Sequence, residues 1–587
     1  HEINDIVHQM SMAAVDQHMH LAKLAYDETG RGICEDKAIK NLYASEYIWN
    51  SIKDNKTVGI IGEDKQKGLT YVAEPIGVIC GVTPTTNPTS TTIFKAMIAI
   101  KTGNPIIFAF HPSAQQSSKY AAKVILEAAT KAGAPKDCIQ WIEVPSIEAT
   151  KQLMNHKDIA LVLATGGSGM VKSAYSTGKP ALGVGPGNVP TYIEKTAHIK
   201  RAVNDIIGSK TFDNGMICAS EQVMVVDKEV YTDVVKEFKL HQTYFVNKNE
   251  LQQLEDAIMN EDKTAVKPDI VGKSAVDIAK LSGISVPEKT KLLVAEIDGI
   301  GKDYPLSREK LSPVLAMVTA KSTGHALQIC EDILKFGGLG HTAVIHTEDS
   351  QLQQKFGLKM KACRVLVNTP SAVGGIGNMY NELIPSLTLG CGSYGRNSIS
   401  HNVSAVDLLN IKTIAKRRNN MQWFKLPPKV YFEENSVMYL TEMDNVERVM
   451  IVCDPGMVNI GYTDIVEQVL RRRENQPQIK VFNEVEPNPS THTVYKGLEM
   501  FINFQPDTII ALGGGSAMDA AKAIWMFFEH PETSFFGAKQ KFLDIRKRTY
   551  KITKPKNAKF ICIPTTSGTG SEVTPFAVIT DSETHVN

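Results

Sequence analysis

The spacing of hydrophobic residues changes along the chain. In residues 10–25 and 37–52 apolar positions recur at helical spacing, which predicts helices near the start. From residue 69 onwards, short apolar runs alternate with helical stretches. Strands are predicted at 77–81, 105–110, 139–144 and 159–164, and helices at 91–101 and 119–132. Strands that alternate with helices predict an α/β fold with a mainly parallel sheet.

This alternation continues towards the end of the chain, with one interruption. Further strands are predicted at 222–226, 292–295, 315–318, 343–346 and 364–367. Residues 391–448 break the pattern and contain Pro427-Pro428, so we expect a linker with an arm-like segment. A fresh α/β unit follows, with predicted strands at 449–453, 508–512, 560–563 and 576–579 and a helix at 518–528.

Composition and charge exclude several classes of protein. The 587 residues carry a net charge of +1, with 43% hydrophobic and 22% charged residues, so nothing global indicates nucleic acid or an acidic membrane surface. The nine cysteines are dispersed without a Cys-x-x-Cys pair, which favours a reducing cytoplasm over a disulfide scaffold. No apolar run is long enough to span a bilayer. Because the chain starts at His1 and stops at Asn587 within a patterned segment, we expect a longer parent protein.

Cys218 is the first candidate for chemistry. It lies in segment 211–221, where a glycine precedes the thiol and a predicted strand follows. A cysteine on such a turn can attack a bound carbonyl, and a nearby nicotinamide can oxidise the aldehyde adduct to a thioester. The alternative is a small buried thiol, because cysteine is among the most often buried residue types.

Two glycine-rich turns come between a predicted strand and a predicted helix. They lie at 165–170 and 513–519. Glycines let backbone amides approach a phosphate, and a helix N-terminus favours its negative charge. Neither turn has the G-x-G-x-x-G spacing, so a tight strand–helix turn without a ligand is the alternative.

Asp454 and a hydroxyl-rich loop could complete a nucleotide site around the second turn. Asp454 ends a predicted strand, where it could bind an adenosine ribose or merely cap the next turn. Residues 565–571 can donate many hydrogen bonds to phosphate or ribose, or form a solvated loop. The predicted strands on both sides favour a fixed, functional loop.

These segments resemble two known families. Residues 1 to about 420 resemble the coenzyme A-acylating branch of the aldehyde dehydrogenases, through motifs at 83–88, 212–222, 309–313 and 337–342. Residues from about 449 resemble iron-dependent alcohol dehydrogenases, through the glycine turn with Asp519 and Lys522 and through 564–572. The two in this order resemble the bifunctional aldehyde–alcohol dehydrogenase family.

The resemblance implies both the fold and the domain order. It implies an α/β protein with an aldehyde-dehydrogenase-like two-lobe parallel-sheet module, followed by the nucleotide-binding α/β half of an iron-type alcohol dehydrogenase. The implied segments are a cofactor-binding domain (1–210), a catalytic domain with the cysteine (211–390), a linker or arm (391–448) and a truncated alcohol dehydrogenase domain (449–587).

The resemblance also implies roles for residues of the first module. Cys218 is the implied nucleophile, and the Asn87 amide with the Cys218 N–H is the implied oxyanion hole. Glu309 would contact the cofactor ribose. His341 has either an acid/base or CoA-side role, or only a structural hydrogen bond. The other implied cofactor-binding residues are Thr83, Pro84, His111, Gly166, Gly167 and Ser168.

In the second module the resemblance implies a second cofactor site. Its implied residues are Asp454, Gly513, Gly514, Gly515, Ser516, Asp519, Thr565, Thr566 and Ser571. The Asp454 carboxylate favours NAD, because it would repel a 2′-phosphate. Iron in this family is bound by one Asp and three His in a helical domain that follows. His492, His530 and His585 do not form such a set, so no metal ligand is assigned, and Fe(II) is expected only in a full-length parent.

One departure from the family bears on the reaction. Hydrolytic aldehyde dehydrogenases carry a glutamate that activates water against the thioester, and the resemblance puts Gly183 at its position. Without a positioned base, water attack should be slow, so the thioester would persist until the CoA thiol displaces it. We therefore expect Gly183→Glu to introduce aldehyde oxidation without CoA.

The implied activity is NAD-dependent interconversion of acetyl-CoA, or another short acyl-CoA, and the aldehyde. In a full-length parent it would be coupled to aldehyde–alcohol interconversion. The expected partners are acyl-CoA and aldehyde as small-molecule substrates and other copies of the chain, in a homo-oligomer that could be a helical filament. We expect a cytoplasmic protein that binds neither nucleic acid nor membrane. The alternatives are a monofunctional acylating enzyme with an inactive second half, and a chain that serves chiefly as a filament-forming unit.

Overall fold

The computed structural model describes residues 2–417, 426–538 and 555–584. The chain divides into two compact units, His1–Arg418 and Asn419–Asn587. In the described part, no helix has the length and apolar character needed to cross a membrane.

The first unit opens with helices and continues as alternating strands and helices. Its first helices are α1 (Glu2–Asp16), α2 (His18–Thr29), α3 (Cys34–Leu42) and α4 (Ile48–Ile52). The next elements are β1 (Gly59–Asp64), β2 (Leu69–Pro75), β3 (Val78–Val82), α5 (Pro88–Lys101), β4 (Ile106–Ala109), α6 (Gln115–Lys131), β5 (Ile139–Trp141), α7 (Ile147–Asn155), β6 (Ile159–Thr165), α8 (Ser168–Tyr175) and β7 (Ala181–Val184).

The rest of the first unit keeps the same alternation. Its elements are β8 (Val189–Ile193), α9 (Ile199–Thr211), β9 (Glu221–Asp227), α10 (Tyr231–Leu240), β10 (Thr243–Val246), α11 (Lys248–Ile258), α12 (Ala275–Leu281), β11 (Leu292–Glu296), β12 (Val314–Ala320), α13 (Thr323–Ile333), β13 (Gly340–His346), α14 (Ser350–Lys359), β14 (Ala362–Val367), α15 (Ser371–Ile376) and β15 (Leu409–Ala415).

These strands form two parallel sheets and one small antiparallel sheet. The first parallel sheet has the order β5-β4-β3-β6-β7, and the second has the order β10-β11-β12-β9-β8-β13-β14. The antiparallel sheet has the order β1-β2-β15. The predicted α/β class with parallel sheets is confirmed.

Helix α5 is buried along its whole length and supports the first sheet. Its Lys95 is fully buried, and Nζ donates to the carbonyl oxygens of Val82 (2.5 Å) and Leu163 (2.8 Å). Burial lowers the pKa of Lys95 to about 7. These two bonds join the carboxyl ends of β3 and β6, the edge of the sheet on which the candidate site lies.

The expected boundary at residue 210 needs correction. Strand β8 pairs with β9 and β13 of the seven-stranded sheet, so the first sheet ends with β7 at Val184. Helix α9 also belongs to the second sheet, because Val203 and Ile206 pack in one buried cluster with Met224. The chain therefore passes from the first sheet to the second at β8, and both β8 and α9 come before the Cys218 turn.

The segment expected to be a linker is divided between the two units, and its first part, residues 391–418, belongs to the first unit. Cys391 is buried, and β15 pairs with β2 along its whole length, from Leu409↔Pro75 to Ala415↔Leu69. Strand β15 lies within the segment for which an arm was predicted. Residues 418–425 lie outside the described residues.

The second unit has its own parallel sheet. Its elements are β16 (Arg448–Val452), α16 (Pro455–Asn459), α17 (Tyr462–Leu470), β17 (Gln478–Phe482), α18 (Thr491–Phe504), β18 (Thr508–Gly513), α19 (Gly515–Glu529), α20 (Phe535–Ala538) and β19 (Lys559–Pro564). The strand order is β17-β16-β18-β19, all parallel.

The strand predicted at 576–579 does not form. Val578 donates its N–H to Asp519 Oδ2 (3.1 Å), and the Phe576 carbonyl accepts from Lys522 Nζ. Because side chains of α19 occupy these backbone groups, they are not available for a strand ladder. The prediction was wrong, since an apolar run alone does not provide a strand partner.

Candidate active site

A cavity of about 690 Å³ lies at the carboxyl ends of the five-stranded sheet. Its wall includes the segments that follow β3, β4, β6 and β7, together with the Cys218 turn. Strands β3 and β6 are neighbours although two strands separate them in sequence, so the chain order reverses between them. In parallel sheets, ligands bind at such a reversal.

The turn that leads to Cys218 has an uncommon backbone shape. Asp213 and Asn214 adopt φ values of 46° and 51°, in the left-handed region that non-glycine residues seldom occupy. Asp213 accepts the Ile33 N–H at Oδ1 (2.7 Å), and its own N–H donates to Asp36 Oδ2 (2.7 Å). Contacts from the start of the chain therefore hold this turn in place.

The thiol of Cys218 borders the cavity and is half-buried. Burial raises the pKa of Cys218 to about 12; the charge of Glu309 and then that of Cys391 add to this, and Arg364 opposes it. In the ligand-free protein the sulfur is therefore a neutral thiol at neutral pH. Its place on the wall favours the nucleophile over the alternative of an enclosed, inert thiol.

Asn87 lies directly before α5 and faces the same turn. Its Oδ1 accepts from Lys40 Nζ (2.6 Å), while Nδ2 donates to Thr86 Oγ1 (3.1 Å) and approaches the Met216 carbonyl (3.4 Å). Met216 is two residues before Cys218. The amide nitrogen is thus on the side of Asn87 that an oxyanion hole requires, which supports the predicted role without testing it.

Glu309 lies on the cavity wall and is held by a residue that the sequence did not single out. Its Oε1 accepts the Gly187 N–H (3.0 Å), and burial raises the pKa of Glu309 to about 7. A Cβ at Gly187 would lie 2.0 Å from the Cys218 carbonyl oxygen and 3.1 Å from His341 Cε1. Only glycine fits there, and the available signal was its Gly-Pro-Gly context.

His341 lies behind Gly187 on β13 and is fully buried, not on the cavity wall. Its Nδ1 is 2.9 Å from Thr342 Oγ1, which also accepts from Arg364 Nε (3.2 Å). Nε2 has no partner within the described residues. Burial, and then Arg364, keep the pKa of His341 well below its usual range. His341 therefore makes the structural hydrogen bond that was one of its two predicted roles. Its other predicted role, in acid/base chemistry or on the CoA side, stays a prediction.

Two orphaned hydroxyls fit a polar ligand in this cavity. Thr83 Oγ1 and Thr165 Oγ1 are buried in the wall without a hydrogen-bond partner among the described residues. A Cβ at Gly167 would meet nothing within 4 Å, in open space at the start of α8. These features fit a dinucleotide, whose hydroxyls and phosphates need such partners.

The remaining predicted cofactor residues divide between wall and surface. Pro84, His111 and Gly166 line the cavity. His111 Nδ1 accepts the Ser113 N–H (3.1 Å), so its other ring nitrogen is the one available to a ligand. Ser168 is exposed and does not line the wall.

A second cavity, of about 590 Å³, lies in the second unit where β16 and β18 adjoin. Its wall includes most residues predicted there, namely Asp454, Gly514, Gly515, Ser516, Thr565 and Thr566. Asp454 also caps α16, because its Oδ1 accepts the Gly456 N–H (2.8 Å). The capping role of Asp454 is therefore present, and its predicted contact with an adenosine ribose stays a prediction for a residue that borders the cavity. A Cβ at Gly514 would lie 3.0 Å from Thr566 Oγ1, so the hydroxyl-rich loop passes directly over the glycine turn.

Three predicted residues of this unit do not line that cavity. Asp519 and Ser571 bind each other (Oδ1 to Oγ, 2.5 Å), and Lys522 Nζ contacts Asp519 Oδ1 at 2.9 Å and the Ser571 carbonyl at 2.9 Å. Gly513 ends β18, and its carbonyl accepts the Thr565 N–H (2.9 Å). These contacts join α19 to the loop, and a direct cofactor contact for these residues stays a prediction.

Family comparisons match both units. The aldehyde dehydrogenase family model matches residues 1–378, more than half of the chain. The chain belongs to the aldehyde dehydrogenase family. The iron-containing alcohol dehydrogenase model matches residues 427–587 of this aldehyde dehydrogenase. Both predicted resemblances are confirmed.

Relatives that match nearly the whole chain are aldehyde-alcohol dehydrogenases. The aldehyde-alcohol dehydrogenase of Streptococcus pneumoniae serotype 4 is 56% identical over 97% of this chain and 66% of its own length. The bifunctional aldehyde-alcohol dehydrogenase AdhE of Escherichia coli K12 is 51% identical over 99% of this chain and 66% of its own length. The chain thus spans about two thirds of the length of these relatives, and its membership of the aldehyde–alcohol dehydrogenase group is confirmed.

Solved structures match the first unit. An acetylating aldehyde dehydrogenase from Geobacillus thermoglucosidasius is 48% identical, with a TM-score of 0.70 over 72% of this chain and 93% of that chain. A propionaldehyde dehydrogenase from Rhodopseudomonas palustris, solved with bound CoA and an acylated cysteine, is 28% identical, with a TM-score of 0.64 over 71% and 92%. These matches confirm the prediction of an enzyme of the acylating aldehyde dehydrogenase type.

The geometry of this aldehyde dehydrogenase corrects the role expected for Gly183. Gly183 lies within β7 and does not line the cavity, and a Cβ built there would lie 3.0 Å from Val171 Cγ1 and 3.1 Å from Tyr175 Cε2. A side chain at this position points into α8, not at Cys218. Glu309 is the one carboxylate among the described wall residues, and it is tied to Gly187. The expectation that no base activates water against the thioester therefore depends on the residues that line the cavity, and not on Gly183.

No metal site is found within residues 2–417, 426–538 and 555–584, where no three His, Cys, Asp or Glu side chains are placed to hold an ion. His530 Nδ1 contacts Glu532 (3.2 Å). His585 lies outside the described residues. The described residues therefore offer no fit for iron.

Proposed function

We propose that the first unit interconverts a short acyl-CoA and its aldehyde through a thioester on Cys218, with NAD as the redox cofactor. The observation that carries this is the position of the Cys218 thiol on a cavity at the sheet's reversal point, which Asn87 also lines. The relative with bound CoA and an acylated cysteine supports the same chemistry.

In the oxidative direction, the Cys218 sulfur forms a bond to the aldehyde carbon, the carbonyl π bond breaks, and the thiol proton passes to water, so that the step as a whole releases one proton. The carbonyl oxygen becomes an alkoxide, which we expect Asn87 Nδ2 and the Cys218 N–H to bind. Donors of this kind lower a barrier by about 3–4 kcal/mol each in other enzymes. Bound NAD⁺ would supply the acceptor for the hydride that leaves this carbon. The thioester that remains on Cys218 is then ready for a thiol.

Transfer to CoA completes the cycle. The CoA sulfur bonds to the thioester carbon, the Cys218 sulfur leaves, and the proton of the CoA thiol balances the released thiolate. Glu309 is held by Gly187, and the described wall has no second carboxylate to activate water. A general base typically contributes 10²–10⁴-fold, so hydrolysis should be slower than thiolysis by a comparable factor.

For the second unit we propose NAD binding at the cavity bordered by Asp454. Its wall also carries Glu484 and Glu486, and this acidic surface disfavours a 2′-phosphate. Alcohol dehydrogenase activity with Fe(II) is a proposal for a longer parent protein, since the described residues show no ligand set. Assembly into a homo-oligomer or filament likewise stays a prediction.

The test is CoA-dependent turnover of the purified protein and of Cys218→Ser. We expect aldehyde oxidation, followed as NADH absorbance, to need CoA and to fall at least a thousandfold in the variant. With CoA omitted, intact-peptide mass spectrometry should find one acyl group on the Cys218 peptide. Cys34→Ser is the matched control, because Cys34 is also half-buried but lies outside the cavity. Turnover above a tenth of normal in Cys218→Ser would rule out the proposed nucleophile.

A further inference from the structure

Lys40 is a buried lysine packed against the Cys218 turn. It lies on α3, and its side chain is only 4% exposed. Nζ contacts Asn87 Oδ1 (2.6 Å), Asp213 Oδ2 (2.5 Å) and the Met216 carbonyl (3.3 Å). An ammonium group has three protons to donate, so these three acceptors use all of them. Two of the contacts are short and the one with the Met216 carbonyl is long, so Lys40, which also borders the cavity, is held mainly by Asn87 and Asp213.

The contact with Lys40 decides which way the Asn87 amide points. Ammonium can only donate, so the Asn87 atom facing it must be the oxygen. The nitrogen is therefore turned towards the Cys218 turn, where it donates to Thr86 Oγ1 and lies 3.4 Å from the Met216 carbonyl. A separation of 3.4 Å is long for a hydrogen bond. That amide hydrogen can move to a substrate oxygen at little cost.

Lys40 also links the two parts of the predicted oxyanion hole. Asn87 precedes α5, whereas Asp213 and Met216 belong to the turn that carries the Cys218 N–H. One buried group bonded to both fixes the distance between the two donors. A small displacement of either donor from the substrate oxygen lowers the reaction rate strongly.

We propose that Lys40 is a positioning residue for the Cys218 reaction, which orients the Asn87 amide and fixes it relative to the turn. The inference rests on the proposed function of Cys218 and Asn87. Lys40 acts through these residues and makes no bond to the substrate.

The charges around Lys40 indicate that it acts by orienting the Asn87 amide, and not through an electrostatic field at the oxyanion. Lys37 and Lys40 both contact Asp213 Oδ2, and Asp36 accepts the Asp213 N–H. Two lysines and two carboxylates balance when all are ionised, so the cluster brings no net charge to the oxyanion. Lys40 makes two contacts that Lys37 lacks, the bond to Asn87 Oδ1 and the longer contact with the Met216 carbonyl, and the Asn87→Ala background separates the first from the second.

Lys37 therefore provides a matched control. It lies one turn earlier on the same helix, is also 4% exposed, and binds the same Asp213 oxygen at 3.1 Å. Its other contact is the Thr86 carbonyl at 3.5 Å, not the Asn87 amide. A purely structural role of the ion pair predicts similar behaviour for both lysines.

The experiment is a double-mutant cycle on CoA-dependent aldehyde oxidation. Lys40→Met and Lys37→Met are each combined with Asn87→Ala, and kcat and KM are measured for all variants. We expect Lys40→Met to lower kcat at least tenfold, with KM within threefold, when Asn87 is present. In the Asn87→Ala background the same change should lower kcat less than threefold. Lys37→Met should lower kcat by the same factor in both backgrounds.

Equal factors for Lys40→Met in both backgrounds would overturn the positioning role while leaving the proposed function intact. Wild-type protein without CoA-dependent turnover would overturn both. Thermal unfolding is measured for every variant. Should Lys40→Met fail to fold, Lys40→Gln enters the same cycle; because its amide can still donate to Asn87 Oδ1, we expect a smaller loss of kcat than for Lys40→Met, and a loss by equal factors in both Asn87 backgrounds would overturn the positioning role.

Discussion

Raising the pH from 7 to 9 should speed the alkylation of Cys218 by iodoacetamide about a hundredfold, because only the thiolate reacts. Burial, reinforced by the charge of Glu309, raises the pKa of this thiol to about 12. The thiolate fraction then grows tenfold per pH unit, from about 10⁻⁵ at pH 7 to about 10⁻³ at pH 9. A thiol with the usual pKa of about 8.5 would gain only about 25-fold and level off above pH 9.

The assay is peptide-resolved mass spectrometry on ligand-free protein after short exposures to the reagent. The same peptide in urea-unfolded protein provides the reference and should follow the ordinary thiol curve. Glu309→Gln should speed the reaction at pH 8, since it removes a negative charge that raises the Cys218 pKa. A native rate that levels off below pH 9 would refute the reasoning, because it would show a thiolate stabilised in the empty cavity.

Two substitutions of glycine test the geometry of the cavity wall. Gly187→Ala places a methyl group 2.0 Å from the Cys218 carbonyl oxygen and should cost about 1–3 kcal/mol, read as a lower Tm, whereas Gly185→Ala meets nothing within 4 Å and should cost clearly less. An equal Tm loss in both would contradict the close approach. Gly183→Glu should lower Tm through its clash with Tyr175 and give no aldehyde oxidation without CoA. CoA-independent NADH formation by that variant would show that the side chain reaches Cys218 after all.

The parallel sheets were predictable because their strands are buried on both faces. Such strands appear as continuous apolar runs, and β3, β6, β9 and β16 lie within one or two residues of the runs that predicted them. The antiparallel sheet was not predicted. Strand β15 is largely exposed and β1 has no fully buried residue, so neither sequence carries a continuous apolar run. For the same reason the segment before Arg418 was interpreted as a linker.

The candidate site divides in a similar way. Cysteine and glycine-rich turns carry a local signal, so Cys218, Gly166 and Gly167 were identified from the sequence and lie on the cavity wall. The prediction that a side chain at Gly183 would face the thioester was wrong, because a position in an alignment does not give the direction of a Cβ within a strand. The need for glycine at 187 was not predicted, because it comes from the close backbone of Cys218, which is 31 residues away and in contact only after folding.

The proposed role of Lys40 makes the helix that carries it, α3, a part of the candidate site. The partners of Lys40 are 47 residues away at Asn87 and 173 at Asp213, so no local pattern could connect them. The one signal was a pair of lysines three positions apart on a helix with a buried face. Asp213 is fully buried, and losing its cationic partners would leave an unpaired carboxylate at a cost of about 3–5 kcal/mol. The sharp turn at Asp213 would then lose the contacts that hold it, and the Cys218 N–H its fixed position. The helix that carries Lys37 and Lys40 is therefore as necessary to the chemistry as the turn that carries the thiol.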